Sequence, residues 1–270
     1  MAELVPRFKE EHVFVIEAFI VHAVRESGRK GVVIGLSGGV DSALVAKLCA
    51  DALGPDRVLA LALSDGKGGK DLRDAKKWAK ALGITFGVVN IGPIANSFER
   101  RLRASASPNP VAQGNLRART RMAVLYYVAN TEERIVMGTG NKSEILTGYF
   151  SKWGDGGADF LPIGDLYKTQ VLGMARHLGL PSEIVDKVPT AGLWPGQTDE
   201  GELGITYAEL DRILLGIELQ LESDAIAEKA QVPPDRVQHV EALVASSVHK
   251  RKMPLIPKVG VRTVGLDWRE

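Results

Sequence analysis

The stretch GLSGGVDSA, residues 35–43, combines two adjacent glycines with hydroxyl groups and one carboxylate. Gly38 and Gly39 allow the backbone to turn closely, so that main-chain amides and a helix N-terminus can point at phosphate oxygens. The hydroxyls of Ser37 and Ser42 would add donors. The stretch has neither the Gly-Lys-Ser/Thr of a Walker A loop nor the glycine spacing of a dinucleotide fingerprint. It therefore predicts a phosphate nest of another type.

Asp41 lies within this predicted nest. A lone carboxylate there would repel phosphate unless a cation stood between them, so Asp41 is interpreted as a Mg²⁺ ligand. The alternative is that Asp41 only caps the following helix and the glycines only serve the turn.

A second polar stretch, GTGNKSEILTGYFSKWGDGGADFLPIGDLYKTQV, covers residues 138–171. Glu144 is a second candidate Mg²⁺ ligand, and Lys168 is a point charge suited to phosphate. The glycines of GDGGAD predict a flexible turn that carries Asp155 and Asp159. Each residue alone also fits a plainer role, as a solvated helix position or an ordinary turn.

Four short apolar runs predict the strands that position both stretches. They cover residues 31–36, 57–63, 84–89 and 134–138, and such continuous runs are typical of parallel strands covered on both faces. Helical patterns between them, an amphipathic N-terminal helix and at least three helices after Asp165 predict an α/β fold: a doubly wound parallel sheet flanked by helices, with additional C-terminal helices. In the order 3-2-1-4, both stretches border one cleft.

The overall charge is nearly balanced, with 34 Lys and Arg against 33 Asp and Glu. No general field therefore favours nucleic acid or an anionic membrane as a partner. The basic run at residues 116–121 is interpreted as a dinucleotide contact or a subunit face. No apolar run approaches the roughly 20 residues of a spanning helix, and the first residues lack a signal-peptide pattern. A cytoplasmic protein with a single domain, residues 1–270, is expected.

Cys49 is the only cysteine. It shares a predicted apolar helix face with Val45 and Leu48, which indicates a buried small side chain rather than a nucleophile. A single thiol also excludes an intrachain disulfide framework and a cysteine zinc cluster.

Two long stretches have no clear periodicity, residues 150–159 and 191–204. Long loops of this kind are usually functional. The second has little apolar surface with which to order itself, so it is predicted to close over the cleft as a lid when ligand binds, with Thr190 at its base.

The motif SGGVDS resembles the pyrophosphate-binding signature of the N-type ATP pyrophosphatases. The runs GTGNKSE, GYFSKWGDGGADFLPIGDLYKTQ and PTAGLWPGQTDEGELG further resemble the ammonia-dependent NAD synthetases without a glutaminase domain, over nearly the whole chain. The resemblance implies an adenine nucleotide alpha hydrolase-like fold. It also implies ATP- and ammonia-dependent amidation of deamido-NAD to NAD through an acyl adenylate, with release of AMP and pyrophosphate, the final step of NAD biosynthesis.

The resemblance also implies residue roles. ATP would bind Gly35, Leu36, Ser37, Gly38, Gly39, Val40, Asp41, Ser42, Thr139, Lys168 and Thr190. Deamido-NAD would bind Arg119, Lys152, Asp159, His249 and Lys250. Mg²⁺ would bind Asp41 and Glu144, and the catalytic roles would fall to Asp41, Lys168 and Asp155. Whether Asp155 or Asp159 handles ammonia stays open. The run SDGKGGKDLRDA, residues 64–75, matches no family motif, so the adenosine contacts are unassigned.

An apolar helical stripe is more typical of a core than of an interface, but the resemblance implies that it belongs to a homodimer face. The stripe consists of Met122, Leu125, Tyr126 and Ala129. Two other functions are weighed. A transfer RNA thiolase also adenylates through such a motif but would need reactive cysteines and a basic surface. A module that senses ATP without turnover would release no pyrophosphate.

Overall fold

A computed structural model describes residues 4–66, 68–102, 109–192, 194, 196–264 and 267. Four strands form one parallel sheet in the order β3-β2-β1-β4. They are β1 (Gly31–Gly35), β2 (Val58–Ser64), β3 (Thr85–Asn90) and β4 (Arg134–Met137). The predicted strands and their order are confirmed, since each strand end lies within one residue of its predicted position.

Helices cover both faces of the sheet. Those before β4 are α1 (Glu11–Glu26), α2 (Val40–Leu53), α3 (Lys70–Leu82), α4 (Gly92–Leu102) and α5 (Pro110–Thr131). On β1, Val32 and Ile34 belong to the core shared with α1, α2 and α3, whereas Val33 belongs to the core shared with α5. Alternate residues of β1 therefore face two apolar layers, which explains its unbroken apolar sequence.

The chain after β4 is helical. It contains α6 (Lys142–Thr147), α7 (Lys168–His177), α8 (Ser182–Val185), α9 (Asp199–Leu203), α10 (Tyr207–Glu218), α11 (Ser223–Ala230) and α12 (Pro234–Ser246). A separate apolar cluster with Leu210, Ile226 and Val240 joins α10, α11 and α12. The predicted C-terminal helices are confirmed. In the part of the chain described, no helix is both long and apolar enough to cross a membrane.

The prediction that residues 191–204 lack order of their own is wrong for the second half of the segment. There, Thr198 caps α9 by accepting a hydrogen bond from the Gly201 N–H, and Leu203 is buried. A side-chain cap and one apolar anchor suffice to order this single turn. Leu193 and Pro195 lie outside the described residues.

The turn in residues 150–159 is closely packed, so the predicted flexible role of its glycines is also wrong. A Cβ on Gly154 would lie 2.9 Å from the Ala118 Cβ, and one on Gly156 would lie 2.4 Å from the Phe150 ring. These glycines are needed because the turn approaches α5 and its own backbone closely.

The apolar stripe on α5 faces the sheet. Ala129 is buried, and Leu125 and Tyr126 pack with it against the cluster of Val33 and Val136. Leu125, Tyr126 and Ala129 therefore contribute to the core of the single chain, and the assignment of the stripe to a homodimer face stays a prediction. The buried position of Cys49 is confirmed, and burial raises the pKa of its thiol.

Candidate functional site

The loop between β1 and α2 forms the floor of the cleft. The Leu36 N–H donates to the Leu61 carbonyl at 2.9 Å and extends the sheet, and Gly38 then turns the chain with a φ of 86°. Gly39 is the N-cap of α2. The alternative in which Asp41 caps the helix is therefore wrong. The amides of the first turn of α2 have no partner within the helix and can point at an anion.

The two loop hydroxyls serve the loop itself. The Ser42 hydroxyl donates to the Gly39 carbonyl at 3.0 Å, and its oxygen accepts from the Ser37 N–H at 3.2 Å. Ser42 is only 3% exposed. In this structure its hydroxyl closes the loop, and the candidate phosphate donors are the main-chain amides of the loop other than those of Ser37 and Gly39, which donate to the loop hydroxyls.

Asp41 and Lys168, 127 residues apart, meet above this loop. The Lys168 Nζ lies 2.5 Å from the Asp41 Oδ2, and the Asn141 amide donates to the Asp41 Oδ1 at 2.9 Å. Lys168 is 2% exposed although it carries a charge. The first residue of α7 therefore contacts the first turn of α2, which agrees with the predicted order that places β1 beside β4.

Glu144 lies on the same side of Lys168. Its Oε1 is 3.9 Å from the Lys168 Nζ. Asn141 and Glu144 form a capping box at the start of α6, with the Asn141 Oδ1 accepting from the Glu144 N–H at 3.0 Å. Asn141 therefore positions both carboxylates. The sequence analysis missed it, although an Asn followed three residues later by Glu is a capping-box signal.

Two carboxyl groups and one ammonium group meet in this cluster. Burial and the neighbouring Asp41 carboxylate raise the pKa of Glu144. Burial lowers the pKa of Lys168, but Asp41 and Glu144 together outweigh that effect, so the net shift is upward and the side chain stays protonated. One ammonium group faces two carboxylates, which leaves a place where a further cation would be stabilised.

A buried carboxylate, Asp211, fixes the main chain of Lys168 through Ser143 and Thr169. Asp211 is fully buried and accepts from the Ser143 hydroxyl at 2.5 Å and from the Thr169 N–H at 2.7 Å. The Ser143 oxygen in turn accepts from the Lys168 N–H at 2.9 Å. This network joins the starts of α6 and α7 to α10, so the functional side chains project from fixed helix ends.

Asp199 and Tyr207 lie beside Lys168. The sequence analysis did not identify either residue. Asp199 is 4% exposed and accepts from the Tyr207 hydroxyl at 3.2 Å. The Lys168 Nζ lies 5.4 Å from the centre of the Tyr207 ring. Burial raises the pKa of Asp199, and Lys168 acts in the opposite direction.

The two remaining predicted ATP residues lie on separate segments of the chain. Thr139 is half-buried just after β4. Thr190 is exposed, and its hydroxyl accepts from the Gly192 N–H at 3.1 Å. Lys187, which the sequence analysis did not single out, donates to the Gly38 carbonyl at 2.8 Å.

Four of the five predicted dinucleotide residues form one connected group. The Arg119 guanidinium donates twice to the Lys152 carbonyl at 3.2 Å, and the Lys152 Nζ donates to the His249 carbonyl at 2.6 Å. Lys250 donates to the carbonyls of Gly148 and Phe150. Arg119, Lys152 and Lys250 donate to neutral carbonyl groups, and the charge of Lys250 is partly offset by the nearby Asp155 carboxylate.

Asp159, the fifth, lies apart. It accepts from the Tyr126 hydroxyl at 3.0 Å and from the Val136 N–H at 2.8 Å. A surface recess of about 430 Å³ borders it, lined also by Tyr126, Arg134 and Phe160.

Asp155 belongs to the packed turn, where its Oδ1 accepts from the Ser151 N–H at 2.9 Å. The residue as a whole is exposed, but neighbouring atoms desolvate its carboxyl group and raise its pKa. Main-chain hydrogen bonds, and then Arg121 and Lys250, act in the opposite direction.

This arrangement defines a class. The sheet is parallel and doubly wound, and the loop after β1 is suited to bind an anion. One lysine and two carboxylates converge on this loop. These features are typical of an α/β protein with a nucleotide phosphate site at the carboxyl ends of its strands. A family model described as NAD synthase matches residues 12–254. The chain belongs to this family.

Individual relatives agree with the family. The NH(3)-dependent NAD(+) synthetase of Pyrococcus horikoshii is 49% identical over 247 residues, which cover 91% of this chain and 95% of the relative. That of Thermococcus sibiricus is 47% identical over 243 residues, with 90% and 94% covered.

Two solved structures are similar throughout. An NMN synthetase from Francisella tularensis has a TM-score of 0.82 and 35% identity, covering 93% of this chain and 100% of its own. An NH3-dependent NAD synthetase from Campylobacter jejuni has a TM-score of 0.78 and 31% identity, covering 92% of this chain and 98% of its own.

Proposed function

We propose that this single-domain chain amidates deamido-NAD to NAD with ATP and ammonia. An oxygen of the nicotinate carboxylate attacks the α phosphorus of ATP, and the bond to the β phosphate's bridging oxygen breaks, which releases pyrophosphate. Ammonia then attacks the carbonyl carbon of the acyl adenylate, AMP leaves and a proton is released. The observation that carries this proposal is the convergence of Asp41, Glu144 and Lys168 at the phosphate loop.

The chain's main task in the first step is electrostatic. Pyrophosphate leaves with concentrated negative charge, so catalysis requires fixed positive groups where that charge develops. Lys168 supplies an ammonium group that donates to Asp41. Its main-chain N–H donates to the Ser143 hydroxyl, which fixes the start of α7. The backbone of residues 35–42 supplies amides, with Thr139 and Thr190 at the borders of the proposed ATP site. No covalent nucleophile is required.

Mg²⁺ fits the acidic side of this site. The Asp41 and Glu144 carboxyl groups offer hard oxygen donors, and both lie beside the single ammonium group of Lys168. Mg²⁺ is commonly bound by one or two carboxylates together with substrate phosphates. Asp41 and Glu144 would hold the ion, which when bound would neutralise phosphate charge.

The dinucleotide is proposed to bind along Arg119, Lys152, His249 and Lys250. Their connected arrangement and the guanidinium and ammonium groups of Arg119 and Lys152, which in the described part of the chain donate only to carbonyl groups, suit the two phosphates of a dinucleotide. Asp159 and the recess beside it would receive a more distant part of the ligand.

Ammonia is proposed to meet the acyl carbon near Asp155. Its carboxylate would hold ammonium and accept the released proton. Asp159 suits this role less well because the Tyr126 hydroxyl and the Val136 N–H already occupy both of its oxygens.

The proposed assembly is a homodimer in the cytoplasm. Phe14 on α1 is 72% exposed and Tyr127 on α5 is 73% exposed, and such apolar surface favours a subunit contact. The near-neutral charge supports small-molecule partners rather than nucleic acid.

A second substrate is favoured by one observation. The similar structure from Francisella tularensis is described as an NMN synthetase, which suggests that the mononucleotide acid could replace deamido-NAD. The same chemistry would apply, since both ligands present a nicotinate carboxylate.

A turnover assay tests these proposals. Purified chain is incubated with ATP, Mg²⁺ and ammonium together with deamido-NAD or the mononucleotide acid, and AMP, pyrophosphate and amidated product are quantified. NAD formation with one AMP for each product supports the first proposal. Preference for the mononucleotide supports the second. Binding of ATP without pyrophosphate release would instead support a sensing module, and release only with transfer RNA would support a thiolase.

A further inference from the structure

Lys187 contacts the phosphate loop but belongs to none of the residue sets assigned above. Its Nζ donates to three oxygens: the Gly38 carbonyl at 2.8 Å, the Asp71 Oδ1 at 2.9 Å and the Asp74 Oδ2 at 2.8 Å. These contacts use all three protons of the ammonium group. The side chain is 18% exposed, so its position is fixed.

The Gly38 contact controls the orientation of one peptide group. The bond between Gly38 and Gly39 is planar and trans, so its C=O and N–H point in opposite directions. Fixing the carbonyl on Lys187 therefore fixes the Gly39 N–H, which points the other way and donates to the Ser37 Oγ at 3.2 Å.

The loop also lies directly against α3 at this point. A Cβ on Gly38 would lie 2.4 Å from the Asp71 main-chain oxygen. Asp71 and Asp74 bring two negative charges close to a site built for phosphate, and Lys187 offsets part of that charge. Its removal would leave both carboxylates facing the loop.

Lys187 lies three residues before Thr190, at the start of the segment that leads to residues 191–204. One side chain therefore joins the phosphate loop, the N-terminal half of α3 and the base of the proposed lid. Each of these elements borders the nucleotide end of the cleft.

We infer that Lys187 is a positioning residue of the nucleotide site. It fixes the Gly38–Gly39 peptide and, through the Gly39 N–H, the Ser37 hydroxyl, and it ties this part of the phosphate loop to α3 and to the segment before Thr190. This inference rests on the proposed ATP site and deepens it.

The inference predicts a specific kinetic pattern. Lys187 does not reach the reacting atoms and acts through the loop that binds ATP, so its loss should raise the KM for ATP much more than it lowers kcat. In Lys187→Met, the KM for ATP should rise about tenfold, while kcat at saturating ATP falls less than about threefold. The KM for the second substrate should stay within about twofold of the parent value.

Lys77→Met is the matched control. Lys77 pairs with Glu183 at 2.7 Å and links the same α3 to α8, but both side chains are exposed. Its loss removes a tie between these elements without touching the phosphate loop, so the KM for ATP should not change. Lys187→Arg tests rescue, because it keeps the charge and should restore most of the affinity for ATP.

The measurements are steady-state kinetics, thermal unfolding and equilibrium binding of a non-hydrolysable ATP analogue to each purified variant. Analogue binding needs no second substrate, so its result is independent of which acid the enzyme amidates. Weaker analogue binding by Lys187→Met alone supports the inference. A KM and analogue affinity within twofold of the parent overturn it. An equal rise in both KM values, accompanied by a lower unfolding temperature, shows a merely structural role and also overturns it.

If Lys187→Met does not fold, Lys187→Gln replaces it. The glutamine amide keeps two N–H donors but removes the charge. The same selective loss of ATP affinity is expected, and an unchanged affinity contradicts the inference.

Discussion

In the proposed site, the phosphate end (Asp41, Glu144 and Lys168) and the opposite end (Lys152 and Lys250) are held together by different kinds of contact. At the phosphate end, Lys168 faces the carboxylates of Asp41 and Glu144 and is almost fully buried. At the opposite end, Lys152 and Lys250 bind main-chain carbonyls and remain partly exposed.

The difference in contacts indicates that the two ends have different roles in the reaction. The phosphate end is preorganised by mutual contacts between charged side chains, so little rearrangement is needed when charge develops on a leaving group. At the opposite end the carbonyl dipoles orient the lysines without cancelling their charge, so these side chains can still attract an anionic ligand. The first end should therefore control turnover, and the second should control affinity for the larger substrate.

The largest expected effect comes from Lys168→Met. The change removes the buried cation and leaves Asp41 and Glu144 facing each other. Turnover should fall by about 10³-fold, the order seen when a preorganised transition-state contact is lost. AMP formation at saturating substrates measures it. Lys142→Met is the control, because Lys142 lies on α6 but pairs with Glu218 outside the site, and it should keep near-parent activity.

Asp41→Asn should have the next largest effect. The amide has nearly the same shape and can still accept from Asn141, so the fold should persist. Turnover should fall by about 10²-fold because a charge-balancing metal ligand is lost. Circular dichroism checks the fold, and AMP release across a Mg²⁺ titration checks the activity. Near-normal AMP formation at ordinary Mg²⁺ would show that Asp41 does not hold the ion.

Lys152→Met probes the opposite end. It should raise the KM for deamido-NAD about tenfold, equivalent to about 1.4 kcal/mol, and leave the KM for ATP unchanged. Steady-state titration of each substrate provides the measurement, with the exposed Lys80→Met on α3 as a control. A change in kcat instead of KM would remove the proposed contrast between the two ends.

Cys49→Ser should leave the chemistry of both ends intact. The thiol is fully buried, and its raised pKa disfavours the thiolate that glutamine hydrolysis requires. Ammonium should support product formation and glutamine alone should not, in both parent and variant. Stability should decrease by about 1–3 kcal/mol because a hydroxyl replaces a buried thiol. Robust activity of the parent with ammonia-free glutamine would contradict this prediction.

The smallest expected signal comes from the segment that would close over the cleft. In a variant that keeps Trp194 as its only tryptophan, fluorescence should change by roughly a tenth or more when ATP, Mg²⁺ and the second substrate bind, as expected for lid closure. Limited proteolysis within residues 191–198 should slow under the same conditions. Fluorescence and cleavage rates that do not respond to ligands would mean that this segment is no lid.

The strands were predictable because β1, β2 and β4 are continuous apolar runs. The meeting of Asp41 with Lys168 followed from strand order, since loops leaving adjacent parallel strands border one crevice. Lys187 could not be found in this way, because its three contacts depend on how α3 packs against the loop. Asp199 was missed because one cap and one buried leucine order α9 within a polar stretch. The packed turn was misjudged because glycine indicates close approach as readily as flexibility.

The central claim is that the cluster of Asp41, Glu144 and Lys168 promotes transfer of AMP to a carboxylate before ammonia takes part. Exchange of labelled pyrophosphate into ATP, measured without ammonium, tests this step most directly. The parent should catalyse exchange only when deamido-NAD or its mononucleotide counterpart is present, and Lys168→Met should lose it. Exchange that needs no acid substrate, or that survives in Lys168→Met, would contradict the account.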